Sequence, residues 1–257
     1  MLDAFNDQIR RHPQDEPDGV IERDPFVVRT VAAGDGWSGV VWSALDASTA
    51  DDAIAAQIRR FASQSRPWEW KHYSYDQPPD LPRRLLSAGF AAEEPETLLV
   101  AEIAGLELDA PPPPGVTLVP VHDEAGVDAL VSVHTAVFGG DHSGLGRSFL
   151  RGLELAPDSA AAVVAVADEE PIAAGRVEFH VGTDFASLWG GGTVPAWRGR
   201  GVFRSMVAYR AALASARGFR FLQVDALPPS RPILERLGFV ELATTTPYVH
   251  PGGTGTG

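Results

Sequence analysis

Cysteine is absent from the chain. That excludes disulfides, thiolate nucleophiles and Cys-ligated zinc together, and it fits a cytoplasmic protein. Lysine is nearly absent: Lys71 is the one lysine among 21 basic residues, a compositional feature to which no mechanism attaches. Long apolar runs are missing too. The longest, "AAAVVAVA" (160–167), falls far short of the ~20 residues that span a bilayer and reads as a buried strand, so no membrane partner is expected. The opening "MLDAFNDQIRRHPQDEP" is polar and acidic, unlike a signal peptide. The histidines lack a spacing such as His-Glu-x-x-His, so no metal is expected. Positive charge is scarce, 21 basic against 34 acidic residues for a formal net charge of −13. Such an excess repels phosphate backbones and argues against a nucleic-acid partner. It favours a cationic substrate, or serves solubility alone.

What is present is a globular composition, 44% hydrophobic and 21% charged over 257 residues, enough for one large domain or two modest ones. The break falls at "LDAPPPPGV" (108–116), where four prolines favour a stiff extended connector. The expected division is a first domain over 1–109, a linker over 110–115, a second domain over 116–250 and a disordered tail over 251–257. Before the linker we expect a helix at 2–11, strands at 26–32 and 39–46, and a helix at 48–63 capped by Ser48 or Thr49. A strand at 68–74, a helix at 81–88 and a strand at 97–103 follow. After it come a strand at 115–121, helices at 123–138 and near 145–155, and a hairpin over 161–181 with an acidic turn. A strand at 184–194, a helix at 201–218, a strand at 219–226, a helix at 231–239 and a last strand close the chain. Trp68 and Trp70 are expected to seal the contact between the halves. With an offset of 149 residues Gly89-Phe90 falls on Gly238-Phe239 and Pro79 on Pro228, and "WEWKHYS" falls close to "FRFLQVD". The shared order of strand, proline loop, short helix and Gly-Phe points to an internal repeat.

Local positive charge gathers at one place in this acidic chain, "PAWRGRGVFRSMV" (195–207), between a strand and a helix. The unpaired N–H groups and dipole of a helix start attract anions. Gly199 and Gly201 let backbone N–H groups approach a phosphate, and Arg198, Arg200 and Arg204 can add charge-assisted hydrogen bonds. A pyrophosphate is the natural guest; a solvated basic turn is the alternative. The stretch is neither a Walker loop nor the dinucleotide fingerprint, since no Gly-Lys-Ser/Thr follows and a third glycine is missing.

Arg198-Gly199-Arg200-Gly201-Val202-Phe203 resembles the Arg/Gln-x-x-Gly-x-Gly/Ala motif of the GNAT superfamily of N-acetyltransferases. The strand ending "GGGTVPAW" before it, and the helix, strand, Ser-containing loop and "LERLGF" after it, stand in the family's order. The detailed resemblance covers about 161–249. It implies an α/β (α+β) fold of two GNAT-like mixed-sheet domains in tandem, a central sheet flanked by helices, with the first a degenerate partial copy lacking the motif. It further implies acetyl-CoA as cosubstrate. The pyrophosphate would lie on Arg198, Gly199, Arg200, Gly201, Val202 and Phe203, and the pantetheine arm along Gly192, Thr193 and Val194. Ser230 would touch coenzyme A, in a cleft opened by two splayed central strands. Two departures stand out. Phe203 occupies a position that is usually Gly or Ala in the family, and Leu234 occupies the place of the tyrosine that often protonates the leaving thiolate; either Tyr248 substitutes, or water does, or the reaction needs no dedicated acid.

Acetyl transfer to an amine calls for a general base. On the second hairpin strand Arg176, Glu178 and His180 share a face, and Glu178 is the first candidate and His180 the second. Glu178 in a plain ion pair is the structural alternative. His134 and the pair Asp141-His142 are candidates for the acceptor pocket, the pair more plainly a solvated loop. Trp189 either packs in the core or flanks the cleft. The function expected is acetyl transfer to a primary amine of a small molecule or peptide by direct attack, and the alternative is a non-catalytic acyl-CoA sensor or scaffold. A monomer or a homodimer is expected.

Overall fold

The apolar runs become strands covered on both faces, and in the computed structural model they join one mixed sheet of twelve. The structure describes residues 1–14, 19–33 and 36–253. The first half begins with α1 (Leu2–Phe5), continued as a wider π-helical stretch Asn6–Arg11. It goes on through β1 (Gly19–Arg23), β2 (Val27–Ala32), β3 (Gly39–Ser43), α2 (Ala50–Phe61), β4 (Trp68–Tyr73), α3 (Leu81–Ser87), β5 (Ala91–Ala92) and β6 (Glu96–Glu102). The second half holds β7 (Val116–Pro120), α4 (Glu124–Phe138), α5 (Ser143–Leu155), β8 (Ala160–Ala167), β9 (Glu170–Phe179) and β10 (Phe185–Thr193). It ends with α6 (Val202–Ala216), β11 (Phe221–Ala226), α7 (Arg231–Arg236) and β12 (Val240–His250). Apart from β1 and the two-residue β5, these are the elements expected from the sequence.

Local chemistry explains several boundaries. Asp123 accepts the Gly126 N–H at 2.9 Å and caps α4. The hairpin between β8 and β9 turns on Asp168 and Glu169, both at positive φ (50° and 66°), a turn whose twist matches its strands. The expected cap of α2 is different in detail. Thr49 stands at the cap position, yet the carboxylate of Asp46 accepts the Ser48 and Thr49 N–H groups.

The strand order is β1-β2-β3-β4-β12-β6-β11-β10-β9-β8-β7, with β5 paired to β12 off this path, and it is symmetric about the β12–β6 contact except that β7 has no counterpart. β3-α2-β4 and β10-α6-β11 are equivalent parallel crossovers. The last strand of each half crosses into the other: β12 pairs with β4, and β6 pairs with β11. The repeat is visible in atomic detail at two helix ends. Gly89 (φ +95°) and Gly238 (φ +106°) leave α3 and α7 in the left-handed region. Phe90 and Phe239 then donate N–H to the carbonyls of Leu85 and Leu234, each at 3.1 Å, and both rings are buried.

Helices α2, α3, α6 and α7 cover one face of the sheet. α6 sets Val207, Ala211 and Ala214 against Val177, Leu188 and Leu222. In the first half Trp68 stacks on Phe61 (4.4 Å between centroids) in a core shared with Trp70 and Tyr248. Among the described residues, the tryptophans' cluster takes in the second half only through its exchanged strand. α1, α4 and α5 cover the other face at separate places, with Phe5 on Phe185 and Tyr73, and Leu130 and Val133 on Val164 and Ala174. Between these helices that face carries polar side chains. The proline stretch lies along α6, where Ser205 Oγ donates to the Pro111 carbonyl at 2.9 Å. Of the expected loose tail, 254–257 lie outside the described residues, and the Gly253 N–H donates to the Gln64 carbonyl at 2.9 Å.

Candidate functional site

β10 and β11 pair only where Phe185–Ser187 faces Phe221–Gln223. Beyond that point β11 keeps to β6 and β10 keeps to β9, so the two central strands part into a V. β10 bends at a register irregularity between Trp189 and Gly192, with Gly190 at φ +57° inside it. The glycine run is small because helices close on it. A Cβ on Gly190 would lie 2.5 Å from the His134 ring, and one on Gly192 would lie 2.9 Å from Val137. Val194 donates its N–H to the Ile172 carbonyl on β9, which turns the Thr193 N–H and carbonyl toward the open edge.

From that edge the chain enters the arginine–glycine turn. Gly199 (φ +74°) and Gly201 (φ +88°) adopt left-handed backbone, and no atom lies within 4 Å of a Cβ built on either. Glycine is required here by conformation, and the space in front of it is open. The first bond of α6 runs from the Ser205 N–H to the Gly201 carbonyl at 3.1 Å, so the N–H groups of Val202, Phe203 and Arg204 have no acceptor within the helix. Arg198, Arg200 and Arg204 are exposed around them. Arg198 Nε donates to the Thr193 carbonyl at 3.0 Å, and the Arg200 guanidinium lies 4.8 Å from the Trp197 ring centre. Phe203 is half-buried and turns its ring toward Gly191, leaving its N–H on the open side. Ser230 stands at the N-cap position of α7 after β11 without a side-chain capping bond, and donates its hydroxyl to the Leu227 carbonyl at 3.0 Å, at the same end of the sheet as the turn.

The equivalent helix start in the first half has the opposite character. Asp51 and Asp52 stand in the first turn of α2. Bonds from Ser48 and Thr49 hold the Asp46 carboxyl down to about 2, fixing a negative charge there. That end repels an anion, while the α6 start attracts one.

The floor of the V lies on the other face of the sheet. Arg176, Glu178 and His180 stand there together, as their alternation requires, deeply set yet half-exposed. Burial raises the Glu178 carboxyl, and Arg176 opposes that shift. The Trp189 indole N–H faces Glu178 without reaching ordinary hydrogen-bond geometry. His180 Nε2 lies 2.6 Å from Ser187 Oγ, which also accepts Gln223 Nε2 at 2.7 Å. Burial lowers His180 to about 4, so it is a neutral ring held in a buried chain and the weaker base. His134 is likewise lowered to about 4 by burial. Asp141 accepts the Ser143 N–H, and His142 bonds the Gly139 carbonyl; both belong to the α5 entry loop. Tyr248 is not brought to this place. Its ring sits in the first-half core beside Trp70, on the face away from Glu178, and Leu234 is buried under α7.

Three contributors were not legible. Arg210, 1% exposed, lies inside the apolar stripe of α6. Its guanidinium occupies the space beside Gly175 and Gly191 that a Cβ would fill, and it donates to the Arg176 carbonyl at 3.0 Å. Lys71 and Asp225 pair at 2.7 Å, with Lys71 Nζ 5.5 Å from the Trp189 ring centre. The one sequence signal for Arg210 is a charge interrupting an apolar stripe, and for Lys71 its position between alternating tryptophans. Two open grooves of about 490 and 470 Å³ lie elsewhere, along α2 and α3 and beside α1, and touch none of these residues.

No protein-family model matches the chain, and no curated protein matches it. Solved structures do. A GCN5-related N-acetyltransferase from Kribbella flavida is similar over 98% of this chain and 94% of its own, at 19% identity and a TM-score of 0.69. A functionally unknown conserved protein from Staphylococcus epidermidis is similar over 96% and 97%, at 14% identity and 0.67. A tandem GNAT protein from the clavulanic acid biosynthesis pathway is similar over 91% and 83%, at 12% identity and 0.60. The chain thus has the tandem GNAT acetyltransferase fold. Among the described residues, no helix is long and apolar enough to cross a membrane.

Proposed function

We propose that the protein is an acetyl-CoA-dependent N-acetyltransferase acting on a primary amine, with one working cofactor site, in the second half. The observation that carries this reading is the open arginine–glycine turn at the head of α6, set at the mouth of the V between β10 and β11. The N–H groups from Gly201 to Arg204 and the exposed arginines suit a pyrophosphate. Between Gly192 and Val194 the Thr193 N–H faces the open edge and suits an amide carbonyl of a pantetheine arm, with the Thr193 carbonyl held by Arg198, and Ser230 lies on the same rim. With the thioester at the apex of the V, the amine approaches from the opposite face. Its lone pair attacks the carbonyl carbon, the C–N bond forms, the C–S bond breaks, and the sulfur leaves as the coenzyme A thiolate, which takes its proton from water. Glu178, its carboxyl raised by burial, takes the proton that the amine loses, directly or through water. Arg210 places a fixed positive charge behind the edge of β10, where negative charge develops on the carbonyl oxygen.

A second reading, a non-catalytic acyl-CoA sensor or scaffold, has one observation in its favour. With Leu234 buried and Tyr248 in the first-half core, neither supplies a proton to the leaving sulfur. A thermal-shift titration tests cofactor binding, which raises the melting temperature of a protein that binds only when folded. Thiol release from acetyl-CoA with an amine panel separates enzyme from sensor. Release with amines supports the first reading; binding without release supports the second. We place the protein in the cytoplasm, as a monomer or a homodimer.

A further inference from the structure

The polar floor does not end with the second half. Because β12 and β6 are exchanged between the halves, β4 and β6 deliver side chains of the first half to the open arm of the V. Lys71 on β4 reaches Asp225 on β11 at 2.7 Å and Glu96 on β6 at 3.7 Å, and it feels Glu69 two residues before it. Three carboxylates thus share one ammonium, and Trp189 stands over the same ammonium.

The unmet valences there are one-sided. Asp225, with its side chain 2% exposed, spends Oδ2 on Lys71, and its Oδ1 has no hydrogen-bond partner. Glu69 accepts the Trp37 indole N–H at 2.8 Å through Oε2, and its Oε1 has none. Gln223, 3% exposed and one pleat from Asp225 on the same face, gives its Nε2 to Ser187 while its Oε1 has none. All three are buried acceptors, and a buried acceptor left unpaired destabilises the fold. Acidic groups also outnumber the cation there, three carboxyl groups against Lys71. A group that answers both features is a cation with several N–H donors. An alkylammonium has three and fits; a carboxylate or phosphate has none and is repelled.

We infer that Glu69, Glu96, Asp225 and Gln223, gathered around Lys71 and Trp189 by the strand exchange, form a subsite for a second ammonium group of the acceptor, so that the substrate is a diamine or polyamine-like molecule. This rests on the acetyl-transfer reading, with the reacting amine at the apex of the V and the second cation on the first-half strands. The first half, which lacks a cofactor site of its own, then supplies one wall of its partner half's acceptor site. Burial also pushes the Glu96 carboxyl up to about 7, as expected of carboxylates crowded together in want of a further cation.

The test is calorimetric titration of the coenzyme A-loaded protein with linear diamines from 1,3-diaminopropane to 1,6-diaminohexane, each against the monoamine of the same length. The expected result is at least tenfold tighter binding of one or more diamines. Glu96→Gln, and separately Glu69→Gln, should reduce that preference severalfold with coenzyme A affinity unchanged. Equal affinity for diamines and monoamines overturns the subsite, as does a preference that survives both substitutions or an absence of diamine binding to loaded protein. Failure of coenzyme A to bind overturns the cofactor reading instead. The diamine comparison is then made on the unloaded protein, where the same results decide for or against the subsite.

Discussion

Valine at Gly201 separates a structural role of the turn from a binding role. Gly201 sits at φ +88°, and a Cβ there meets no atom of the protein within 4 Å. The folded chain loses no packing, but an L-residue held in left-handed backbone costs ~1–2 kcal/mol. For a chain of this size that corresponds to a fall of about 2–8 °C in melting temperature. Gly218, at the other end of α6, is an internal control: its φ is +82°, and a Cβ there also meets nothing within 4 Å. Gly218→Val should show a similar thermal loss. The two variants should part in coenzyme A binding. In Gly201→Val the new side chain projects into the space assigned to the pyrophosphate, and losing two N–H bonds to an anion at ~1.5–3 kcal/mol each removes ~3–6 kcal/mol. Affinity should fall by about 10²–10⁴-fold for Gly201→Val and stay within about twofold of wild type for Gly218→Val, both by calorimetric titration. Equal affinities in the two variants would refute the placement of the pyrophosphate.

Glu178→Gln should lower kcat/KM by about 10²–10⁴-fold while leaving coenzyme A affinity unchanged. Because the Glu178 carboxyl is raised, the wild-type profile should have an acidic limb above the ordinary carboxylate range, and the variant's deficit should be largest on its alkaline side. Glu96 is raised from 4.5 to about 7 in the folded chain, so its penalty is absent below about pH 4.5 and complete above about pH 7. Glu96→Gln should therefore match wild type in urea denaturation at pH 4 and gain ~2–3 kcal/mol at pH 8. Arg10 and Asp76 form a buried two-bond pair at 2.9 and 2.8 Å that ties the first helical segment to the sheet. Arg10→Met strands the Asp76 carboxylate and should cost ~3–5 kcal/mol, of which a second change, Asp76→Leu, should recover a part.

Element order was readable because its determinants are local. Asp123 caps α4, Asp168 and Glu169 turn the hairpin, and Gly201 and Gly218 bound α6; each acts within a few residues of its own position. The turn at Arg198–Phe203 was readable for the same reason, and Phe203 proved compatible with it because its ring packs on Gly191. The exchange of β6 and β12 was not readable. A strand's neighbours depend on which edges the two halves offer each other, and nothing inside "TLLVAEI" or "TTTPYVH" encodes that. Everything that depends on the exchange was therefore hidden as well, including the meeting of Lys71 with Asp225 and the burial of Tyr248 among first-half residues. Glu178 and His180 were found because period-two alternation sets them on one face. The sequence ranks Glu178 ahead of His180, but a physical ground for that order, the buried Ser187–Gln223 chain on which His180 sits, spans strands distant in sequence.

The most direct test of the central claim is mass-spectrometric detection of N-acetylated product, with parallel thiol release, when purified protein meets acetyl-CoA and a primary-amine panel. The proposed function predicts amide product equal to thiol released for at least one amine, abolished by Gly201→Val and preserved in Gly218→Val. Acetyl-CoA bound with no amide formed from any amine would contradict it.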